Sequence, residues 1–360
     1  MASQEMASAA ARTYEAKALD RFLRAALQAA GADTATTDAV TRALMHGSLF
    51  GMDTHGVRLL PHYLRAIRGG RVNATPSPAL VEDFHAVGVL DGDDGHGALN
   101  AYVAADIAID KARRFGIGAV SIRRSSHFGP AGAFALHIAE AGMVGLAMCN
   151  SDSFMRLQDG AQRFHGTNPL AAAAPVAGGH PWLLDMATSS IPFNRVRLMA
   201  SLGLDLQPGV ASDHGGVDTT DPHSAVMLAP IGGPQYGYKG AGIAGLVEIL
   251  SAVLGGALLS PQIAPMVSDD MSTPRNVGAF VLAIDPEAFG GREVFLTAMQ
   301  TYRDLLRGSA TVEGGTVRAP GDRAFGDADR RPRDGVPVDP DTIVAFAEIA
   351  RTYGLQAPQG

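Results

Sequence analysis

The sequence contains a single cysteine in 360 residues, Cys149, so no disulfide can form within the chain and no Cys-x-x-Cys metal or redox pair exists. Cys149 follows the apolar run Val144-Gly145-Leu146-Ala147-Met148 and has no basic neighbour to stabilise a thiolate. It reads as a small buried hydrophobe in a reducing compartment. Positive charge is also scarce. The formal net charge is −7, which argues against a nucleic-acid partner or a polybasic membrane surface and leaves small molecules as the natural partners. There is no His-Glu-x-x-His, no histidine pair at helical spacing and no cysteine cluster, so no metal site is expected. The absence of Gly-x-Ser-x-Gly removes the usual serine-hydrolase signature. Met1 to Leu19 carries Glu5 and Glu15 and lacks the basic-then-apolar order of a secretory signal, so a cytoplasmic location is expected. No internal repeat is present.

Three apparent signals are set aside on physical grounds. Gly240 to Leu259 approaches the length of a membrane span, but Glu248 lies within it and glycine is frequent, so a buried helix is expected. Asp91-Gly92-Asp93-Asp94-Gly95-His96-Gly97 has the alternating acids of a calcium loop, yet its twelfth position is Tyr102 where a bidentate glutamate is needed. A turn is expected instead. Gly240-Ala241-Gly242-Ile243-Ala244-Gly245 satisfies Gly-x-Gly-x-x-Gly, but no buried strand precedes it and no acid follows at the ribose-binding distance. It is read as the glycine-rich start of a helix, with Lys239 at its mouth offering an anion a favourable position.

What is present is ample apolar material, 46% of the chain, enough for a large core. Leu19, Phe22, Leu23, Leu27, Val40, Ala43 and Leu44 recur at helical spacing, broken by Gly31-Ala32-Asp33, and a further helix runs from His62 to Ile67. Beyond Gly69-Gly70 the pattern changes to strand-like runs (Val87 to Leu90, Ile117 to Ile122, Val144 to Met148, Pro181 to Leu184, Ala279 to Ile284) alternating with helices (Tyr102 to Phe115, Ala131 to Ala141, Gly242 to Leu254, Glu293 to Leu306). The stretch after Pro320 is charged and turn-rich through Arg333, and a last helix is expected over Asp341 to Tyr353, capped by Asp339 or Asp341 and packed on the N-terminal helices. The expected fold class is α/β (α+β): a mixed-sheet, non-Rossmann dinucleotide-binding domain over 73–319, and a helical domain made from 1–72 joined by 320–360.

Chemistry concentrates in two matched settings, Thr54-His55-Gly56 and Ser126-His127-Phe128-Gly129. A hydroxyl neighbour can hold an imidazole in one tautomer, a glycine admits substrate to the backbone, and histidine titrates near physiological pH. Polar clusters also stand at expected strand ends, where α/β proteins place ligands: Asn150-Ser151-Asp152-Ser153, Gly166-Thr167-Asn168-Pro169 and Asp185-Met186-Ala187-Thr188-Ser189.

With Gly51-Met52-Asp53, Lys239-Gly240 and Pro320-Gly321-Asp322 added in the same order, these motifs resemble the type-2 malate/lactate dehydrogenase family. These are nicotinamide-dependent oxidoreductases that include ureidoglycolate, sulfolactate and diketogulonate enzymes and cyclic-imine reductases. The resemblance covers most of the chain. It implies a non-Rossmann fold, a homodimer with its active site near the subunit interface, and NAD or NADP as cofactor. It places His55 with Thr54, and His127, on acid/base positions, and Ser151, Asp185, Met186, Ala187, Lys239 and Gly321 on dinucleotide contacts. The chain departs from the pattern at two points. An arginine usual four residues after the first histidine is replaced by Leu59, with Arg58 one earlier. Arg195 stands where the imine reductases have an aspartate. Either arginine can offer a carboxylate clamp. The expected reaction is interconversion of a 2-hydroxy acid and a 2-oxo acid, with His127 passing the proton and His55 positioning substrate. Reduction of a cyclic 2-imino acid is the enzymatic alternative, and a non-catalytic dinucleotide sensor is the alternative of another class.

Overall fold

The computed structural model describes residues 12–359. The reading of Met1 to Leu19 therefore falls partly on residues outside the described ones. The chain opens with a short strand, β1 (Arg12–Tyr14), then helices α1 (Ala16–Ala29), α2 (Thr34–Leu49) and α3 (Leu60–Arg68). In α1 the buried residues are Leu19, Phe22, Leu23, Ala26 and Leu27, the i, i+3, i+4, i+7, i+8 stripe of a helix lying on a core. The Asp33 side chain accepts a hydrogen bond from the Thr36 amide at 2.7 Å and so starts α2 where the glycine break was expected.

Next come β2 (Ala79–Phe84), β3 (Val87–Asp91), α4 (Gly97–Phe115), β4 (Ile117–Ser125), α5 (Gly132–Glu140) and β5 (Val144–Cys149). Short strands β6 (Met155–Arg156) and β7 (Arg163–His165) precede β8 (Leu170–Ala174) and β9 (Trp182–Met186). After helix α6 (Phe193–Leu202), strands β10 (Ala211–Ser212) and β11 (Met227–Leu228) lead into α7 (Gly233–Glu248), which continues as a π-helical turn over Ile249–Val253. The chain closes with β12 (Val277–Ile284), α8 (Arg292–Arg307), α9 (Asp322–Asp334), β13 (Val336–Val338) and α10 (Pro340–Tyr353).

The main sheet has seven strands in the order β2-β3-β4-β12-β5-β8-β9. Only β3 and β4 are parallel neighbours; the other pairs are antiparallel. The two faces of its centre differ in side-chain size, as the period-2 alternation of strands requires. Ala147, Cys149, Ala279, Val281 and Ala283 join the large core with α4 and α5. Met148 and Phe280, backed by Leu146 and Leu282, meet Val247 and Leu250 of α7 and its π turn on the other side. The core on the small-residue face is continuous with the N-terminal helices and with Phe346 of α10, so the helical part packs directly on the sheet layer. A separate core of Met155, Val196, Leu206, Ala211 and Leu228 lies around the four-stranded sheet β10-β11-β6-β7.

Several sequence expectations are corrected. The ends of the chain are not purely helical, because β1 pairs antiparallel with β13. The stretch read as turn-rich after Pro320 is largely helix α9, whose charged residues form ion pairs such as Arg330 with Asp327 at 2.8 Å along its exposed side. Helix α7 begins well before Gly242, because Pro234 sits in its first turn where a missing N–H costs nothing. The Gly-x-Gly-x-x-Gly match therefore lies inside a helix, and Lys239 stands on its second turn rather than at its mouth. Gly240 has a packing reason: a Cβ there would meet the Ile231 carbonyl oxygen at 2.3 Å. Nor is the Gly240 to Leu259 segment buried all round, since Leu246, Ile249, Val253 and Leu254 are exposed. No helix among the described residues is long and apolar enough to cross a membrane. The acids of the turn after Asp91 face Arg124, with Asp91 at 2.9 Å. Asp339, rather than Asp341, caps α10 by accepting from the Thr342 amide at 3.2 Å.

The return of α10 to the N-terminal helices is tested at Phe346, whose ring packs 5.1 Å from that of Phe22. Phe346→Ala is expected to lower the unfolding free energy by about 3–5 kcal/mol, read from urea denaturation.

Candidate active site

Strands β3, β4, β5 and β9 all run in one direction, as their pairing through β12 and β8 dictates. Their C-terminal ends therefore share one edge of the sheet. The register aligns Val277 with Ser125, Ala279 with Cys149, and Leu170 with both Met148 and Met186. Just past that edge come His96, Ser126 and His127, Ser151 and Asp152, and Met186 and Ala187. Running the other way, β12 and β8 begin there, which adds Arg275 and the Gly166-to-Pro169 segment.

His55 arrives from the helical layer, on a single 3-10 turn (Asp53–His55) after α2. Gly56 lets this turn lie against α2, since a Cβ there would strike the Ser48 hydroxyl at 2.2 Å. Arg331 of α9 fastens the turn from the other end of the chain, donating to Asp53 at 3.1 Å and to the Ser48 carbonyl. The His55 and His127 rings come to rest 5.9 Å apart and nearly parallel, at 19°. Thr54 Oγ1 lies 2.9 Å from His55 Nδ1, and the Tyr63 hydroxyl lies 2.7 Å from His127 Nδ1. Burial pushes the Tyr63 phenol up, so it stays a neutral hydroxyl whose oxygen can accept from Nδ1–H and leave Nε2 unprotonated. Each histidine thus has one nitrogen held by a hydroxyl, which leaves the other for substrate.

A small cavity beside His127 is lined by His62, Tyr63, Arg71, His96, Ser126 and Arg275. Its floor is organised by two buried guanidiniums. Arg275 pairs with Asp152 and donates Nε to the Ala264 carbonyl at 2.8 Å. Arg71 donates to the carbonyls of Pro265 at 3.1 Å and Met266 at 3.3 Å, and to Ser268 at 3.0 Å, while Asp152 accepts from the Met266 amide at 3.0 Å. Burial, then the neighbouring Arg275, lowers the Arg71 guanidinium below its usual value. The guanidiniums of Arg71 and Arg275 both line the cavity, whereas the carboxylates of Asp152 and Asp270, which face Arg71, are not among its lining residues, so the lining favours an anion.

The imidazoles respond to the same surroundings. Burial lowers His55; burial, then His55 and Arg275, takes His127 well below the ordinary range. Burial takes His62 down to about 4, with help from Arg275, and His96 to about 3, with help from His62. His96 also caps α4, its Nδ1 accepting from the Ala98 amide at 3.1 Å. These rings are neutral at neutral pH, which is the state of a general base.

The remaining sequence-proposed residues occupy distinct places. Asp185 accepts from the Gly132 amide at 2.8 Å, and burial pushes its carboxyl up to about 6 against that bond. Met186 and Ala187 are partly exposed at the end of edge strand β9, and Ser151 is partly exposed beyond β5. Gly321 precedes the first turn of α9, beside Leu183 of β9, and Lys239 is exposed with its ammonium 5.0 Å from the Tyr236 ring. Ser151, Met186 and Ala187 thus stand at the shared strand ends, whereas Gly321 lies beside the first half of β9 and Lys239 on α7. Arg58 is exposed and Arg195 half-buried on α6, and neither lines the pocket beside His127. Tyr63, Arg71 and Arg275 do, and sequence reading missed them: Tyr63 falls on an apolar helix face and the arginines have no local motif. No cluster of three metal-ligating side chains occurs among the described residues.

The family model for malate/L-lactate dehydrogenase matches residues 14–346. The chain belongs to this family. It is an oxidoreductase, similar to a malate dehydrogenase of Pyrococcus abyssi (33% identical over 320 residues, 87% of either chain). A (2R)-3-sulfolactate dehydrogenase (NADP(+)) of Chromohalobacter salexigens is 34% identical over 301 residues, 83% of this chain and 86% of that one. Among solved structures, malate dehydrogenase from Entamoeba histolytica superposes with a TM-score of 0.91 at 28% identity, covering 97% of this chain and 100% of that one. The delta1-piperideine-2-carboxylate reductase of Pseudomonas syringae pvar. tomato gives 0.82 at 28% identity, covering 94% and 100%.

The neutral histidines of this oxidoreductase carry a stability consequence. His46, lowered to about 3 by burial and then Arg42, joins His62 and His96 in refusing a proton that the unfolded chain accepts below about 6.5. Stability is therefore complete above that pH and lost as the pH falls toward the folded values. Each such histidine is expected to remove about 1.4 kcal/mol per pH unit below about 6.5, checked by urea denaturation at pH 7 and pH 5.

Proposed function

We propose that this family member interconverts a 2-hydroxy acid and a 2-oxo acid with NAD or NADP, using His127 as the acid/base and His55 to orient substrate. The observation that carries the reading is the pair of hydroxyl-held imidazoles 5.9 Å apart beside the cationic Arg71 and Arg275 pocket. When bound, the nicotinamide accepts or supplies the hydride. The chain supplies the rest. His127, neutral and anchored through Nδ1 by Tyr63, takes the alcohol proton on its other nitrogen in the oxidising direction. In the reducing direction it must carry a proton, and an anionic carboxylate drawn to the pocket offsets the cations that disfavour the imidazolium. His55, fixed by Thr54 and by the Arg331–Asp53 pair, holds the substrate oxygen so that proton and hydride transfers share one geometry. Ser151, Asp185, Met186, Ala187, Lys239 and Gly321 are proposed to hold the dinucleotide.

Arg275 is the proposed carboxylate clamp from its position, with Arg58 and Arg195 as the alternatives from sequence. The chain is further proposed to act as a cytoplasmic homodimer, which the exposed apolar face of Leu246, Ile249, Val253 and Leu254 supports. The division into 73–319 and a helical part from both ends belongs to the same proposal. Likeness to a piperideine-2-carboxylate reductase favours a second reading, reduction of a cyclic 2-imino acid.

Purified protein is expected to oxidise NADH or NADPH with a panel of 2-oxo acids. Activity confined to pyrroline- or piperideine-carboxylate moves the assignment to the second reading; no oxidation and no dinucleotide binding by calorimetry removes both. His127→Ala is expected to lower kcat by about 10²–10⁴-fold while dinucleotide affinity stays close to wild type. Among alanine variants of Arg58, Arg195 and Arg275, the clamp is the one whose loss raises KM for the oxo acid by about tenfold or more.

A further inference from the structure

We propose that Glu248 is a positioning residue for the dinucleotide, holding the strand-end segment of Ser151 directly and that of Met186 and Ala187 through the segment at 167–168. This rests on the nicotinamide-dependent reading above. Glu248 is only 7% exposed, on the last residue of α7, immediately before the π-helical turn. A charged side chain persists in such a place only when its oxygens are fully engaged, and these are. Oε1 accepts from Asn150 Nδ2 at 3.2 Å and the Ser260 amide at 2.6 Å. Oε2 accepts from Asn168 Nδ2 at 2.9 Å and the Ser260 hydroxyl at 2.6 Å, and His165 Nδ1 lies 3.7 Å away.

The partners explain why this matters at the sheet edge. Asn150, wholly buried, immediately precedes Ser151, and its own carbonyl group accepts from the Gly278 amide at 2.9 Å at the start of β12. Asn168, also wholly buried, has a backbone φ of +32°, an unfavourable conformation that needs external support. Its amide bridges Glu248 and the Ala244 carbonyl at 3.1 Å. The backbone of Thr167 accepts from both the amide (2.9 Å) and the hydroxyl (3.0 Å) of Thr188, directly after Ala187. One carboxylate thus ties the segments at 150–151 and 167–168 to helix α7 directly, and the segment at 186–188 through Thr167. π turns recur where a helix is bent to serve a site, and here the turn begins at the residue after Glu248. Burial works against the charged form, but His165, Ser260 and Asn168 outweigh it and hold the carboxyl at about 2.

Glu248→Gln keeps the shape but replaces one acceptor oxygen with an amino group facing N–H and O–H donors, so an asparagine must turn away. Calorimetric titration with NADH and NADPH, and initial rates on the oxo acid that wild type accepts, are the readouts. The expected result is a dinucleotide Kd raised about tenfold or more, with kcat at saturating dinucleotide and KM for the oxo acid each within about threefold of wild type. Ser260→Ala, which removes one donor from outside the three segments, is expected to raise that Kd about threefold and carries the test where Glu248→Gln does not fold by circular dichroism. An unchanged Kd, or a fall spread equally over kcat and both substrates, overturns the inference while leaving the proposed reaction standing. Failure of wild type to bind either dinucleotide overturns the reaction and the inference with it.

Discussion

The hydrogen-bond ladder of β12 is the constraint on which the site depends. A strand from Val277–Ile284 inserts between β4 and β5, which lie more than a hundred residues earlier, and pairs antiparallel with both. Two antiparallel pairings in succession leave β4 and β5 running the same way, so the segments that follow them, with His127 and Ser151, emerge on one edge. The same insertion delivers Arg275 to that edge from the opposite direction. A register slip of one residue in β12 would exchange its Ala/Val face for its Phe/Leu face, so side-chain size on the two sides of the sheet enforces the alignment.

The helical layer completes the arrangement. His55 reaches His127 only because α2 packs on the sheet layer and Arg331, from the far end of the chain, clamps the Asp53 turn. Electrostatics then act on a geometry already set. Burial keeps the imidazoles neutral, buried arginines keep the pocket receptive to an anion, and a carboxylate that belongs to neither group underlies the strand ends. Glu248 and Arg275 both come from chain segments bordering β12 or packing upon it, which links the fold's central strand to the chemistry on its edge.

Much of this was legible locally. Helical periodicity in Leu19 to Leu44, alternation in Ala279 to Ile284, and hydroxyl-histidine pairs close to glycine each declare themselves within a few residues, because their cause is local: amphipathic spacing, pleat, tautomer control. Lys239 and the stretch after Pro320 were misplaced for an equally local reason. Glycine, proline and charge read as loop, whereas Pro234 in a first turn and ion pairs along α9 make helices of both. Tyr63 gave no signal because it shares a helix face with Leu60, Leu64 and Ile67, and its hydroxyl finds His127 only across 64 residues of chain. Glu248 did leave a trace, as the one charge in an apolar helical stretch.

The sequence by itself determined the N-terminal helices and the central strands, the hydroxyl settings of two histidines, and, through the order of its motifs, the family. The tertiary structure alone decided that those histidines face each other, that Arg71 and Arg275 rather than Arg58 or Arg195 line the pocket beside them, and that one buried glutamate braces two loops directly and a third through one of them. The physical reason is the range of the interactions. Propensity, capping and periodicity act over one or two helical turns, whereas strand order and side-chain pairing across a core join residues whose separation along the chain carries no local signature.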